Sequence, residues 1–248
     1  MASQALPFIF SEDFEISDLQ DVYSIGLEDY STEITQVMHY SAKPLANPNI
    51  PSWNSKMGIK VFIDINDSSG QKIGSMFRTF SRKEGILSVR HQNFSLDTPF
   101  QGKGIATDII EHAENQYEKL GVNEITLHAN DRIGGYTWAV QGYDFINDRW
   151  KDRIQNLFKK SVTKLHEKGK ISGDLEPLLE TIDSFNHSWE FASWNPSGYT
   201  SKKGYSLGKM ILIGTSWEAS KSLDKKSIGY QIGKAYFALK RQKNEQTS

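Results

Sequence analysis

The sequence predicts a mixed α+β fold with a mainly antiparallel sheet, and three stretches carry that reading. Ile59, Val61, Ile63 and Ile65 alternate with other residues, the period of a strand that buries one face. After Pro99 and a pair of glycines the period changes, and Ile105, Ile109, Ile110, Ala113 and Tyr117 recur at helical spacing. Further on, Trp150, Ile154, Leu157, Phe158, Val162 and Leu165 fall on one face of another helix.

In chain order, residues 1–57 read as an irregular N-terminal arm or lid, because Pro44, Pro48 and Pro51 between Lys43 and Trp53 disfavour both helix and central strand. The strand ending at Ile65 meets the turn residues Asn66 to Gly70, and a second run from Gln71 to Phe80 completes a hairpin. A third strand follows from about Gly85 to Leu96. The helix after Pro99 stops near Leu120 and Gly121, and Ile125 and Leu127 belong to a short strand. Strand, glycine turn, helix, strand is a crossover unit, whose loops gather where ligands commonly bind. Residues 148–185 form a helical hairpin with a break at Lys168-Gly169-Lys170 and a second helix after Ser172. The apolar run Lys209–Trp217 reads as a last strand, and a basic tail with too few hydrophobes to pack far follows it. The expectation is one elaborated domain over 1–248: an arm over 1–57, a core over 59–146, a helical insertion over 147–205, and a C-terminal strand and tail over 206–240.

Composition narrows the function classes. Hydrophobic residues make up 38% and charged residues 24%, and 29 basic side chains nearly balance 30 acidic ones, so no global field points to nucleic acid. The absence of cysteine removes disulfides, thiolate zinc sites and a cysteine nucleophile, and suits a reducing cytosol. No apolar stretch approaches the length of a membrane span, and the chain reads as cytoplasmic. His39, His112, His166 and His187 lack paired spacing, so no metal site is expected. There is no Gly-x-Ser-x-Gly elbow, and Gly204 to Lys209 has the wrong order for a Walker loop.

The chemistry-bearing segment is Leu96-Asp97-Thr98-Pro99-Phe100-Gln101-Gly102-Lys103-Gly104-Ile105-Ala106-Thr107, between a strand and a helix start. Glycines let backbone N–H groups face one point, and a helix N-terminus adds free donors and a positive dipole end, so an anionic phosphate suits it. The same glycine pair also suits a tight turn with no ligand. The fragment resembles motif A of the GNAT superfamily: Arg or Gln, two free positions, Gly, one free position, then Gly or Ala. Gln101, Gly104 and Ala106 fill those places. The family's strand before the motif corresponds to the run ending at Leu96, its helix to 104–120, its next strand to 124–129, and its Gly-aromatic pair to Gly142-Tyr143. The resemblance covers roughly residues 59–146.

What the resemblance implies is a GNAT-like splayed sheet with flanking helices and an added C-terminal helical hairpin, and an acyl-CoA, acetyl-CoA or longer, as co-substrate. Pantetheine would pair with backbone around Phe94, Ser95 and Leu96, in the splay between that strand and the one ending near His128. The pyrophosphate would take N–H groups from Gly102, Lys103, Gly104, Ile105, Ala106 and Thr107. Lys103 either meets a phosphate or is an exposed loop lysine, and Thr107 either donates its hydroxyl or caps the helix. Asn130 stands where the family commonly has Asn, and a turn role suits it equally. The acceptor is a primary amine of a small molecule, a peptide or a protein lysine, attacking the thioester directly.

One position departs from the family. Four places before Gly142, where the family usually has a Tyr acid, stands Trp138, whose indole donates a hydrogen bond but is no useful acid. Tyr136 is the nearest phenol. His91 and His128 are the candidate bases, since histidine as a residue type suits proton transfer near neutral pH. The added helices of 147–205 would line an acyl pocket, clamp a peptide, form a homodimer contact or simply pack. Trp189, Trp194 and Tyr199 either stack a ligand or plug gaps. Two other classes stay open: a non-catalytic acyl-CoA sensor, favoured by Trp138, and a protein interaction module using the aromatic C-terminal region.

Overall fold

The computed structural model describes residues 35–44, 57–130, 134–196 and 199–245. The chain divides into two compact units, one ending at Ile125 and one beginning at Thr126. Fold class agrees with the sequence: mixed α+β, with a mainly antiparallel set of strands and flanking helices.

In the first unit, β1 (Thr35–Pro44), β2 (Met57–Asn66), β3 (Lys72–Lys83) and β4 (Ile86–Leu96) lie side by side, each antiparallel to the next. β1 corrects the expectation of an irregular arm over its length. Thr-Gln-Val-Met-His-Tyr is β-prone, and Pro44 is tolerated because it is the last residue of a strand that lies at the sheet edge among the described residues. The remainder of the arm, with Pro48 and Pro51, lies outside the described residues. The hairpin between β2 and β3 turns where expected: Asp67 Oδ1 accepts from the backbone N–H of Ser69 at 2.9 Å and of Gln71 at 3.0 Å. These bonds lower the Asp67 pKa, with the Ser69 hydroxyl the largest cause. Val61, Ile63 and Ile65 are fully buried, as their alternation predicts.

Helix α1 (Ile105–Lys119) supplies Ile105, Ile109, Ile110, Ala113 and Tyr117 to the same core, with Tyr117 set edge-on against Phe80 at 5.7 Å. It ends where Gly121 takes a left-handed conformation and Val122 N–H returns to the Tyr117 carbonyl at 2.9 Å.

The division between units falls within β5 (Glu124–Ala129). The second unit continues with α2 (Gly134–Val140), β6 (Asp144–Phe145), α3 (Asp148–Glu167), α4 (Leu175–Ser184), α5 (Ser188–Ser193), α6 (Leu207–Leu212), β7 (Trp217–Ser222) and α7 (Ile228–Glu245). The helical hairpin is α3 and α4. Asn147 caps α3 by accepting from Trp150 N–H, and Gln155 Nε2 donates to the carbonyls of Ile182 and Asp183 at 3.0 and 3.2 Å. Ile154, Phe158 and Val162 are buried as expected, while Leu157 is exposed.

Two C-terminal expectations need correction. The run Lys209–Trp217 is not a strand: its first half lies in α6 and only Trp217 begins β7. Ser206 caps α6 by accepting from Lys209 N–H, and the turn at Gly214 and Thr215 separates helix from strand. Nor is the basic end a loose tail, because α7 runs for 18 residues. Its Gly229 and Gly233 allow backbone contact with the turn at Gly142, so it packs with few large side chains.

Candidate functional site

Local sequence explains the loop before α1. Asp97 N–H bonds the Ile73 carbonyl at 2.8 Å, Thr98–Phe100 makes one 3₁₀ turn, and Gln101 N–H closes it on the Thr98 carbonyl. The Gln101 side chain then reaches back, its Nε2 donating to the Leu96 carbonyl at 2.7 Å and tying the loop to the end of β4. Gly102 and Gly104 both take positive φ, 75° and 90°, a conformation that favours glycine. Gln101 (φ −76°, ψ 151°) and Gly102 form a type II turn that uses the Lys103 N–H, while among the described residues no acceptor meets the backbone N–H groups of Gly102, Gly104, Ile105 or Ala106, and Thr107 N–H already bonds the Gly104 carbonyl at 2.8 Å. A Cβ on Gly102 would meet nothing within 4 Å, so the glycine answers to backbone conformation and leaves open space beside it. Four free donors at a helix start make a cradle for an anion. Lys103 Nζ lies 5.5 Å from the centre of the Phe100 ring.

Phe94, Ser95 and Leu96, the strand end expected to meet pantetheine, face Met76, Ser75 and Gly74 on β3. Leu96 is buried and Ser95 exposed. A Cβ on Gly74 would lie 2.5 Å from the Ser95 carbonyl oxygen, so only glycine allows this approach. Upstream β4 carries a bulge: Phe77 pairs with Asn93 but Arg78 with His91, leaving Gln92 as the extra residue. The bulge shifts the inward phase from Leu87, Val89 and His91 to Leu96. His91 is therefore on the core side, 5% exposed, with its ring edge-on to Tyr117 at 5.8 Å.

His128 and Tyr136 belong to the second unit. His128 is on the open face of β5, 47% exposed, with Nδ1 2.9 Å from Glu218 Oε1 on β7. Tyr136 is half-buried on α2 beneath the Lys209 ammonium at 5.3 Å, and burial raises its pKa above the ordinary phenol value. A phenol so shifted keeps its proton at neutral pH. Trp138 stands edge-on to Tyr143 at 4.9 Å. Asn130 is exposed just beyond β5.

Sequence reasoning missed Glu218, which lies 90 residues from its histidine. It also left the aromatic loop open. Trp194 packs against Phe185 at 5.8 Å and Phe158 at 6.4 Å, which makes it part of the hairpin core. Trp189 stacks on His187 at 4.5 Å, and Tyr199 meets Met210 Sδ at 3.0 Å. His187 Nδ1 in turn lies 2.6 Å from Asp144 Oδ2, and Ser188 N–H donates to Asp144 Oδ1, so this histidine anchors the start of α5. Among the described residues no cluster of three His, Asp or Glu side chains is placed to hold a metal ion, and no helix is long and apolar enough to cross a membrane.

Solved structures similar to this chain are GNAT acetyltransferases, matched over part of its length. Arabidopsis thaliana Naa50 bound to the bisubstrate analogue CoA-Ac-MVNAL is 22% identical over 27% of this chain and 45% of its own, with a TM-score of 0.25. Escherichia coli YhbS, a GNAT family N-acetyltransferase in complex with CoA, is 20% identical over 27% of this chain and 38% of its own, at a TM-score of 0.24. A GNAT family acetyltransferase from Elizabethkingia anophelis with acetyl-CoA bound is 16% identical over 46% of this chain and 78% of its own, at 0.31. The chain thus spans less than half the length of the first two. No protein-family model and no curated protein matches it.

Proposed function

We propose that the protein is an acyl-CoA-dependent N-acyltransferase, moving an acetyl or longer acyl group to a primary amine of a small molecule, peptide or protein. The observation that carries this reading is the glycine loop, whose two left-handed glycines leave four backbone donors free at the start of α1. The donors suit the CoA pyrophosphate, with Lys103 beside them, and the strand end Phe94–Leu96 suits pantetheine. In the reaction the amine nitrogen attacks the thioester carbon, a tetrahedral intermediate forms, and the carbon–sulfur bond breaks to release the CoA thiolate.

Of the two candidate bases we favour His128. Its exposure and its carboxylate partner allow Nε2 to accept the amine proton while Glu218 stabilises the imidazolium, whereas His91 is packed against Tyr117. Tyr136, protonated at neutral pH, is the candidate donor to the leaving thiolate. Trp138 at the family's Tyr place favours the second reading, an acyl-CoA sensor without turnover.

Calorimetric titration with CoA, acetyl-CoA and octanoyl-CoA tests the donor, since a ligand of the native state also raises its stability. Binding by all three supports the loop assignment, and preference for octanoyl-CoA supports a long acyl group. Binding without product across a panel of amines, polyamines and lysine peptides supports the sensor. With a turned-over amine, Glu218→Gln should lower kcat by roughly tenfold or more and leave CoA affinity unchanged. Undiminished turnover would remove the dyad from the mechanism.

A further inference from the structure

Between Phe191 and Trp217 the chain carries Lys202, Lys203 and Lys209 and no acidic residue. Ser201 to Gly204 make a tight turn with Lys202 and Lys203 at its tip. Gly204 N–H donates to the Ser201 carbonyl at 2.9 Å with Gly204 at φ 73°, and Tyr205 N–H returns to Ser201 Oγ at 2.9 Å. The turn sets Tyr205 beside α6, where the half-buried Lys209 ammonium lies over two rings, 4.4 Å from the centre of Tyr205 and 5.3 Å from that of Tyr136. Among the described residues none of the three lysines meets a carboxylate, and the Tyr205 hydroxyl has no hydrogen-bond partner. Glu190, the acid of the adjoining α5, is taken by the N–H groups of Asn186 and His187 at 2.7 Å. α2, which packs on the end of α6 through Gly135, carries no charged residue. The backbone donors at the start of α6 are also committed: Leu207 N–H to Asn195 Oδ1, Gly208 N–H to the Trp194 carbonyl and Lys209 N–H to Ser206 Oγ. The donors left over are side chains, an ammonium held between two rings and a phenol beside it.

A carboxylate or phosphate oxygen accepts from both groups, and the rings have already restrained the ammonium. We propose that Lys209 and Tyr205 form an acceptor-specificity site, binding an oxyanion carried by the amine that is acylated. The proposal rests on the acyl-CoA reading and deepens it, since Tyr136, whose ring helps to hold the ammonium, is the candidate proton donor there. The Tyr136 hydroxyl stays available for that step, and Lys202 and Lys203 add positive potential that draws anions in. The acceptor is then an amino acid or a phosphorylated amine rather than a polyamine.

The first test needs neither CoA nor the acceptor. Methylene protons over ring faces resonate upfield, so the Lys209 side chain is identified in ¹³C-lysine-labelled protein by the signal missing in Lys209→Met. At constant ionic strength, acetate or inorganic phosphate should move that signal saturably. Tyr205→Phe keeps the ring and removes the hydroxyl, and should weaken the affinity about threefold or more. Lys202→Gln with Lys203→Gln should change it less than about twofold, exposed charges being screened. A signal that stays still, moves without saturating, or responds equally in Tyr205→Phe overturns the proposal. The second test follows thiol release from acetyl-CoA across matched pairs, amino acids against their amides and phosphoethanolamine against ethanolamine, which also separates carboxylate from phosphate. The anionic member should be the acceptor, and Lys209→Met, its folding checked by a melt, should raise its KM about tenfold with kcat within about threefold, Lys209→Arg being intermediate. Preference for the uncharged member, or an unchanged KM, overturns the proposal, and where no pair is turned over the titration decides. Saturable anion binding by a protein that binds no CoA keeps the oxyanion site but removes the acyl-CoA reading, and with it the assignment to an acceptor.

Discussion

Two glycine-built turns, one in each unit, use the same residue for opposite ends. At Gly102 the backbone is left-handed and the space around a Cβ is open. At Gly142 the backbone is equally left-handed, but a Cβ would overlap the Gly229 carbonyl and approach Gly233 N at 3.1 Å. The first turn keeps room and free N–H groups beside a helix start. The second fills its room with another backbone, so that α7 lies against the turn after α2. Positive φ alone cannot separate the two uses; what surrounds the missing side chain does.

The largest effect should follow Gly142→Ala, which combines backbone strain with overlap against backbone that cannot yield. We expect a loss of about 4 kcal/mol or failure to fold, measured by denaturant unfolding. Wild-type stability would break the contrast. Gly233→Ala is next, at about 2–3 kcal/mol, because its Cβ would crowd both the flexible Lys221 ammonium and the fixed Gln141 carbonyl at 2.6 Å. Gly102→Ala should cost only about 1–2 kcal/mol from its φ, while weakening CoA binding measurably, since the new methyl enters the open side of the cradle. A stability loss as large as at Gly142 would show that the loop is packed rather than open.

The smallest effect concerns the open turn at Gly70, where Asp67 holds Ser69 and Gln71. Its folded pKa is lowered, so its contribution is present above the unfolded carboxylate pKa and is lost as pH falls through the folded value. Asp67→Ala should lower Tm slightly at neutral pH, and the gap from wild type should close at acid pH. A gap that widens on acidification would contradict the assignment.

What the sequence made legible follows the same contrast. Alternation at Val61–Ile65 and helical spacing at Ile105–Tyr117 and Ile154–Val162 were readable because those elements bury large side chains at regular intervals. α7 was not, since it approaches the turn through Gly229 and Gly233, which leave no hydrophobic period. The run after Lys209 misled because its apolar residues are shared between α6 and β7, with the turn at Gly214 between them. β1 was hidden by the prolines that follow it. At the site, the glycine loop was legible since its residues are contiguous. Glu218 was not, because a dyad across 90 residues leaves no local pattern.

The most direct test of the central claim is calorimetric titration of CoA into wild type and Gly104→Val, with folding of the variant checked by its melt. Gly104 has φ 90° at the start of α1, so valine brings a branched side chain to the cradle and about 1–3 kcal/mol of backbone strain. Wild type should bind CoA and the folded variant should not. Equal affinity in the two, or no binding by wild type, would contradict it.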